Sequence, residues 1–190
     1  MIGVTVFAAM TVLLVGYALM LYRGLSHARL QLARAWSNLQ FAWARRDGEL
    51  ARLVELCRQD GQCDSEVIER VLRARDTLQA ARAQHDIAAV NGAEDTLRAA
   101  LVTLYPIAAR HPDRQAETAL RALRFRIRAH ERAIAAYRTR YNEAAKNLNA
   151  RIEMLPDSLI AGLCRFAPAP LLEDTAAPST EVELGLAFSK

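Results

Sequence analysis

Apolar residues are spread along this chain in three different ways. From Ile2 to Tyr22 (IGVTVFAAMTVLLVGYALMLY) no charged side chain interrupts them. As a helix that stretch spans about 31 Å, close to the ~30 Å hydrocarbon thickness of a bilayer. From Leu25 onward apolar positions recur every seven residues instead. Leu25, Leu32 and Leu39 form one row and Trp36, Trp43, Leu50 and Cys57 another, with Ala28, Ala35 and Ala42 beside them. This is the packing stripe of a helix running to about Arg58. Only Gly24 separates it from the apolar segment, so the two are expected to form one continuous or slightly bent rod. Over residues 165–190 neither pattern persists.

The polar stretch Gln59 to Cys63, with Asp60-Gly61, breaks the first stripe. Asp64 or Ser65 can cap a second helix whose first turn carries Glu66 against the helix dipole. Its core face reads Ile68, Val71, Leu78, Ala81 and Ala88. Asn91-Gly92 reads as a stop or kink, after which Leu97, Leu101 and Leu104 carry a third helix to about Arg110. His111-Pro112-Asp113 marks the next boundary. Leu120, Leu123, Ile127, His130, Ile134, Tyr137, Tyr141, Ala144, Leu148, Ile152 and Leu155 then alternate steps of three and four, the seam of an antiparallel bundle. Leu155-Pro156-Asp157 ends that helix, and Ser158 to Cys164 forms a short cap. The expected architecture is all-α: a transmembrane helix over residues 1–22, an antiparallel bundle of about four helices over 23–164, and a mostly disordered tail over 165–190.

Composition agrees with this reading. The chain has 190 residues, eight Gly and six Pro, room for an anchor and one core but not a second domain. All of its 25 basic residues except Lys146 and Lys190 are Arg, and 21 acidic residues are interspersed with them. A net charge of +4 distributed in that way is a solvated helix surface and argues against a nucleic-acid partner. Arg23, Arg29, Arg34, Arg45 and Arg46 follow the apolar segment with no acidic residue before Asp47. The positive-inside rule therefore places the bundle in the cytoplasm, and no basic residue precedes the segment as a cleaved signal would require. Arg23, Arg29 and Arg34 are also candidates for contact with anionic headgroups.

The sequence shows no catalytic residues, no metal ligands and no cofactor site. No Glu is followed three residues later by His, so a di-iron bundle is not expected. His27, His85, His111 and His130 are scattered, no phosphate loop is present, and no nucleophile has a nearby base. Cys57 and Cys63 could bridge only in an oxidising compartment. The informative polar residues are those on apolar stripes, since an unpartnered buried charge is costly. Arg46 continues the Leu25, Leu32, Leu39 row. Glu131 and Arg138 flank Ile134, and Asn142 and Asn149 lie seven residues apart. The expectation is that Arg46 pairs with Glu131 and that the two asparagines hydrogen-bond across the bundle to fix helix register.

Residues 35–54, AWSNLQFAWARRDGELARLV, resemble the first-helix signature of the LemA family: Ala35-Trp36-Ser37, the pair Arg45-Arg46, then Leu53-Val54. Further on, Pro112-Asp113, Ala116, Leu123, Glu131, Ile134, Arg138, Tyr141-Asn142, Asn149, Ile152, Pro156 and Ala161 fall in that family's order and spacing. The resemblance covers roughly residues 22 to 173. Glu49, Leu50, Ala51 and Arg52 replace the family's Leu-Ile-Pro-Asn, His111-Pro112 its Tyr-Pro, and Leu148-Asn149 its second Tyr-Asn, as in a divergent member. Absence of the proline at position 51 predicts an unkinked first helix. The resemblance implies an anchored antiparallel bundle in the bacterial envelope and no enzyme. The leading function is then a non-enzymatic scaffold at the inner membrane, attached through residues 2–22, that recruits protein partners. Alternatives are an anionic-lipid-binding surface protein or an exported sensor with a ligand-binding bundle. Self-association stays open, and the anchor lacks a small-xxx-small pattern.

Overall fold

The computed structural model describes residues 2–60, 64–108 and 114–172, and the described residues contain helices and no strand. Five helices follow one another: α1 (Ile2–Asp60), α2 (Ser65–Gln84), α3 (Ile87–Ala108), α4 (Arg114–Glu153) and the short α5 (Asp157–Leu163). The all-α expectation holds. α1 is a single rod of 59 residues with no break at Gly24 or at Ala51. Its first 18-residue window of high hydropathy has no part buried within the molecule, and the helix is long and apolar enough to cross a membrane. From Leu25, which is fully buried, the same rod turns into the spine of the bundle.

α4 packs along α1 in the opposite direction. The guanidinium of Arg151 lies against Gly24, the Tyr141 ring 5.6 Å from Trp36, and Arg126 donates to Glu49 at 3.1 Å. Each step up α1 is thus matched by a step down α4. A Cβ at Gly24 would stand 2.9 Å from the Arg151 guanidinium, the movable end of a flexible side chain, so a small residue there would need only a shift of that group. Arg151 also binds Asp157 at 3.3 Å, so one side chain ties α4 to α5 while its guanidinium lies beside α1.

α2 and α3 form a hairpin on this pair. Its turn lies earlier than the sequence suggests: the chain breaks at His85-Asp86, and Asn91-Gly92 continues inside α3. His85 adopts φ 55, its N–H bonds to the Arg82 carbonyl, and the Asp86 N–H reaches back to Ala81. That is a Schellman closure made without glycine. Asp86 then accepts from the Ala89 N–H and starts α3. Ala88, expected on the core face of α2, is consequently an exposed residue of α3's first turn. Gly92 inside a helix costs about 1 kcal/mol relative to Ala, which burial of Ile87, Val90, Ala93 and Leu97 outweighs.

The hairpin turn reaches only as far as Trp36, whose ring lies 5.2 Å from His85. Nearer the apolar segment, α1 and α4 are covered by α5 and by the residues after it. α5 ends in a second Schellman closure, with Arg165 at φ 54 and the Phe166 N–H bonded to Ala161. The chain then runs back along α4 through Leu172, which is 2 % exposed. The expected disordered tail is corrected for residues 165–172, and residues 173–190 lie outside the described residues. So does Cys63, and with it the Cys57–Cys63 bridge, as does the boundary at His111-Pro112-Asp113.

Candidate functional site

The interior of the bundle contains charge. Along α3 the seam reads Val90, Glu94, Leu97, Leu101, Leu104, and along α1 Leu39, Trp43, Arg46, Leu50, Leu53, each in steps of three and four. This spacing aims Glu94 and Arg46 at one another. Arg46 donates from both terminal nitrogens to the two oxygens of Glu94, each at 2.9 Å, and both side chains are almost fully buried. The pairing expected between Arg46 and Glu131 is therefore corrected. Glu131 is exposed and Arg46 acts on it through charge, whereas Glu94 meets the guanidinium in the planar two-point geometry that suits a carboxylate.

Arg82 of α2 extends the cluster, binding Asp47 at 2.8 Å and lying 3.5 Å from Glu94. Its guanidinium stacks 4.6 Å above the Trp43 ring. Arg138 of α4 is likewise buried and adds its field at Glu94. Burial pushes the Glu94 carboxyl up, but Arg46, Arg82 and Arg138 together hold it below its ordinary value. Burial disfavours the charged form of Arg46 as well, but Glu94, with Asp47 and Glu131, more than reverses it, so that pair stays ionised. Arg82 is lowered, chiefly by burial. The ionised Arg46–Glu94 pair ties α1 to α3, and Arg82 and Arg138 bring α2 and α4 against it. The cluster positions four helices.

Beside it lies a stack of rings. Trp36 meets Trp43 edge-on at 5.6 Å and is flanked by His85 and Tyr141. Trp36 is thereby the point where α1, the hairpin turn and α4 converge.

The second polar feature is a cradle on α4. Asn149 donates to the Ala169 carbonyl at 2.9 Å and accepts from the Ala169 N–H at 2.7 Å. Asn142 does the same with Leu172, at 2.8 and 2.9 Å. Between them the Tyr141 hydroxyl donates to the Pro170 carbonyl at 3.1 Å. The spacing explains the fit: seven helical residues rise about 10 Å, and three residues of extended chain cover about the same distance. Pro168 and Pro170 fix φ and remove their own N–H groups, so the Ala169 amide is the donor left for Asn149. The asparagines thus hold a peptide backbone, and their expected role in helix-to-helix register is corrected. Asn149→Ala should release this strap while leaving the bundle folded. The Ala169 amide is expected to lose protection from hydrogen exchange by at least about tenfold, the equivalent of roughly 1.4 kcal/mol. Unchanged protection would mean that packing of Leu172 alone retains the segment.

The remaining predicted residues lie outside both features. Arg45 is exposed and covers the Phe41 ring at 4.4 Å. Arg23, Arg29 and Arg34 are exposed as well; Arg29 lies 6.0 Å from the Phe166 ring, and Arg34 stands about 18 Å along the rod from Tyr22. Cys57 is buried and Cys164 exposed. Among the described residues no group of three or more His, Cys, Asp and Glu could hold a metal. Sequence reasoning missed Glu94, Arg82 and Asp47, and the strap. Glu94 was legible in the three-and-four spacing from Val90 to Leu104, once Asn91-Gly92 is read as helix.

A family model described as the LemA family matches residues 35–184, a span that includes the buried cluster, the ring stack and the whole strap. No curated protein matches the chain.

Proposed function

Since the chain belongs to the LemA family, and since its apolar segment and bundle share one unbroken helix, we propose that it is a non-enzymatic, membrane-anchored scaffold. It holds a rigid helical bundle at a fixed height for protein partners. The observation that carries this reading is α1 itself. Residues 23–60 form a spine of about 57 Å that begins where the apolar segment ends. A long bundle offers broad helical faces, and anchorage raises its effective concentration near membrane partners.

The chemistry of the interior supports the same reading. Its charges serve packing, and the strap cradle recognises a polypeptide backbone. The arginines that follow Tyr22 favour insertion into the bacterial inner membrane with the bundle in the cytoplasm.

The test places a photo-crosslinking residue at Phe41 or Phe125, both largely exposed on the bundle. In cells, discrete adducts with other proteins are expected, and they should weaken several-fold when residues 2–22 are removed. Adducts only with copies of itself, or adducts indifferent to the anchor, would overturn the scaffold reading. A Phe125→Cys variant labelled by an impermeant thiol reagent only after the inner membrane is opened would support the cytoplasmic orientation. Labelling of intact cells would reverse it.

A further inference from the structure

The corner between α4 and α5 is apolar on the outside. Met154 is 65 % exposed, Leu155 73 %, Leu159 68 % and Leu163 81 %. Outside the N-terminal segment, the other exposed large apolar side chains, Leu30, Phe41, Val102, Phe125 and Leu171, are scattered along the described residues, and of them Phe125 alone is as exposed as the corner. Four in one short stretch form a patch, and a water-facing patch of that kind needs a partner.

The register of α4 against α1 says what lies beside it. Arg151 touches Gly24, so the two residues that end α4 lie level with Tyr22, where the apolar segment stops. Met154 and Leu155 extend past that level. The Tyr22 ring meets Phe166 at 6.2 Å, and Ala161 is buried while Leu159 and Leu163, four apart, face outward. Arg23 and Arg165 are exposed at the same height, and Arg151 is partly so. Apolar side chains rimmed by arginines are the composition of a segment that lies in a bilayer interface. Glu153 is the acidic group there that works against anionic lipid, and Asp157 is neutralised by Arg151.

We propose that this corner is a second membrane contact: Met154, Leu155, Leu159 and Leu163 dip into the headgroup and upper acyl region of the leaflet on the bundle's side. The inference rests on the anchor reading and extends it. A single helix through a bilayer leaves the molecule free to tilt and turn. The corner restrains the turn, because it fixes which side of α1 faces the lipid surface.

The test uses the full chain in liposomes with Cys63→Ser and Cys164→Ser, leaving the buried Cys57. One cysteine is introduced at a time, Leu159→Cys or Leu163→Cys, and labelled with an environment-sensitive dye. Leu13→Cys serves as the lipid standard and Phe125→Cys as the water standard. Shallow doxyl-labelled lipid is expected to quench the dye at both corner positions several-fold more strongly than at Phe125, with iodide quenching several-fold weaker. Agreement of two positions guards against one poorly folded variant. Corner dyes that match Phe125 while the Leu13 dye stays lipid-quenched would overturn the corner contact and leave the anchor standing. Iodide reaching the Leu13 dye would overturn the anchor and the corner together.

Discussion

Glu94→Ala is expected to cost about 3–5 kcal/mol of unfolding free energy, because it strands the Arg46 guanidinium in an interior closed to water. A domain's whole stability is about 5–15 kcal/mol, so the variant should sit near the edge of folding. Removing both charges should cost far less. Arg46→Met combined with Glu94→Leu fills the same space without an unpaired ion, and most of the loss is expected to return. Urea titrations of the wild type, both single variants and the double variant in mild detergent make this a double-mutant cycle. A single-variant loss below about 1 kcal/mol would mean that water reaches the pair. The same pair fixes the acid response. Glu94 is held below the ordinary glutamate value, so between that value and its folded pKa the unfolded chain binds more protons. Its contribution is complete above about pH 4.5 and is lost as the pH falls through the lower folded value. The double variant should show a flatter acid limb in the same titrations.

Trp43→Ala should be as damaging, by about 3–5 kcal/mol, for a different reason. Its ring is fully buried, supports Trp36 edge-on and carries the Arg82 guanidinium on its face. Truncation opens a cavity and removes the platform under a buried cation at once. Trp43→Phe separates shape from polarity. The indole nitrogen makes no hydrogen bond among the described residues, so phenylalanine should cost less than about 1.5 kcal/mol. If it proves as harmful as alanine, the indole nitrogen has a role that ring packing does not supply. Thermal unfolding followed by helical circular dichroism orders the three proteins.

What could be read from residues alone was what periodicity encodes. The continuous apolar run, the heptads on α1 and the long seam on α4 announced their helices, and the absent proline at position 51 agrees with a helix that runs unbroken through that position. Errors came where local chemistry and tertiary packing disagree. Asn91-Gly92 carries a strong turn signal that burial of α3 overrides, and His85 carries a weak one that the Schellman closure uses. With the turn set at Asn91-Gly92, Glu94 falls at the start of a helix and off its seam, which leaves Glu131 as the acid the spacing offers Arg46. The strap was missed because Pro168 and Pro170 look like a tail when seen without a surface. Its order comes from two asparagine amides on another element, and no local pattern encodes such a contact.

An unbroken α1 also has a mechanical meaning. If the apolar segment is the anchor proposed above, a hinge at the bilayer would let anchor and bundle move independently, whereas one unbroken helix makes them arms of one lever. With about 57 Å of spine beyond Tyr22, a tilt of roughly 10° in the membrane carries the far end sideways by about 10 Å. Such tilts are the ordinary response of a helix to bilayer thickness. On that anchored reading, a small change in lipid geometry would be amplified into a displacement as wide as a helix, delivered at the end of the bundle farthest from the lipid.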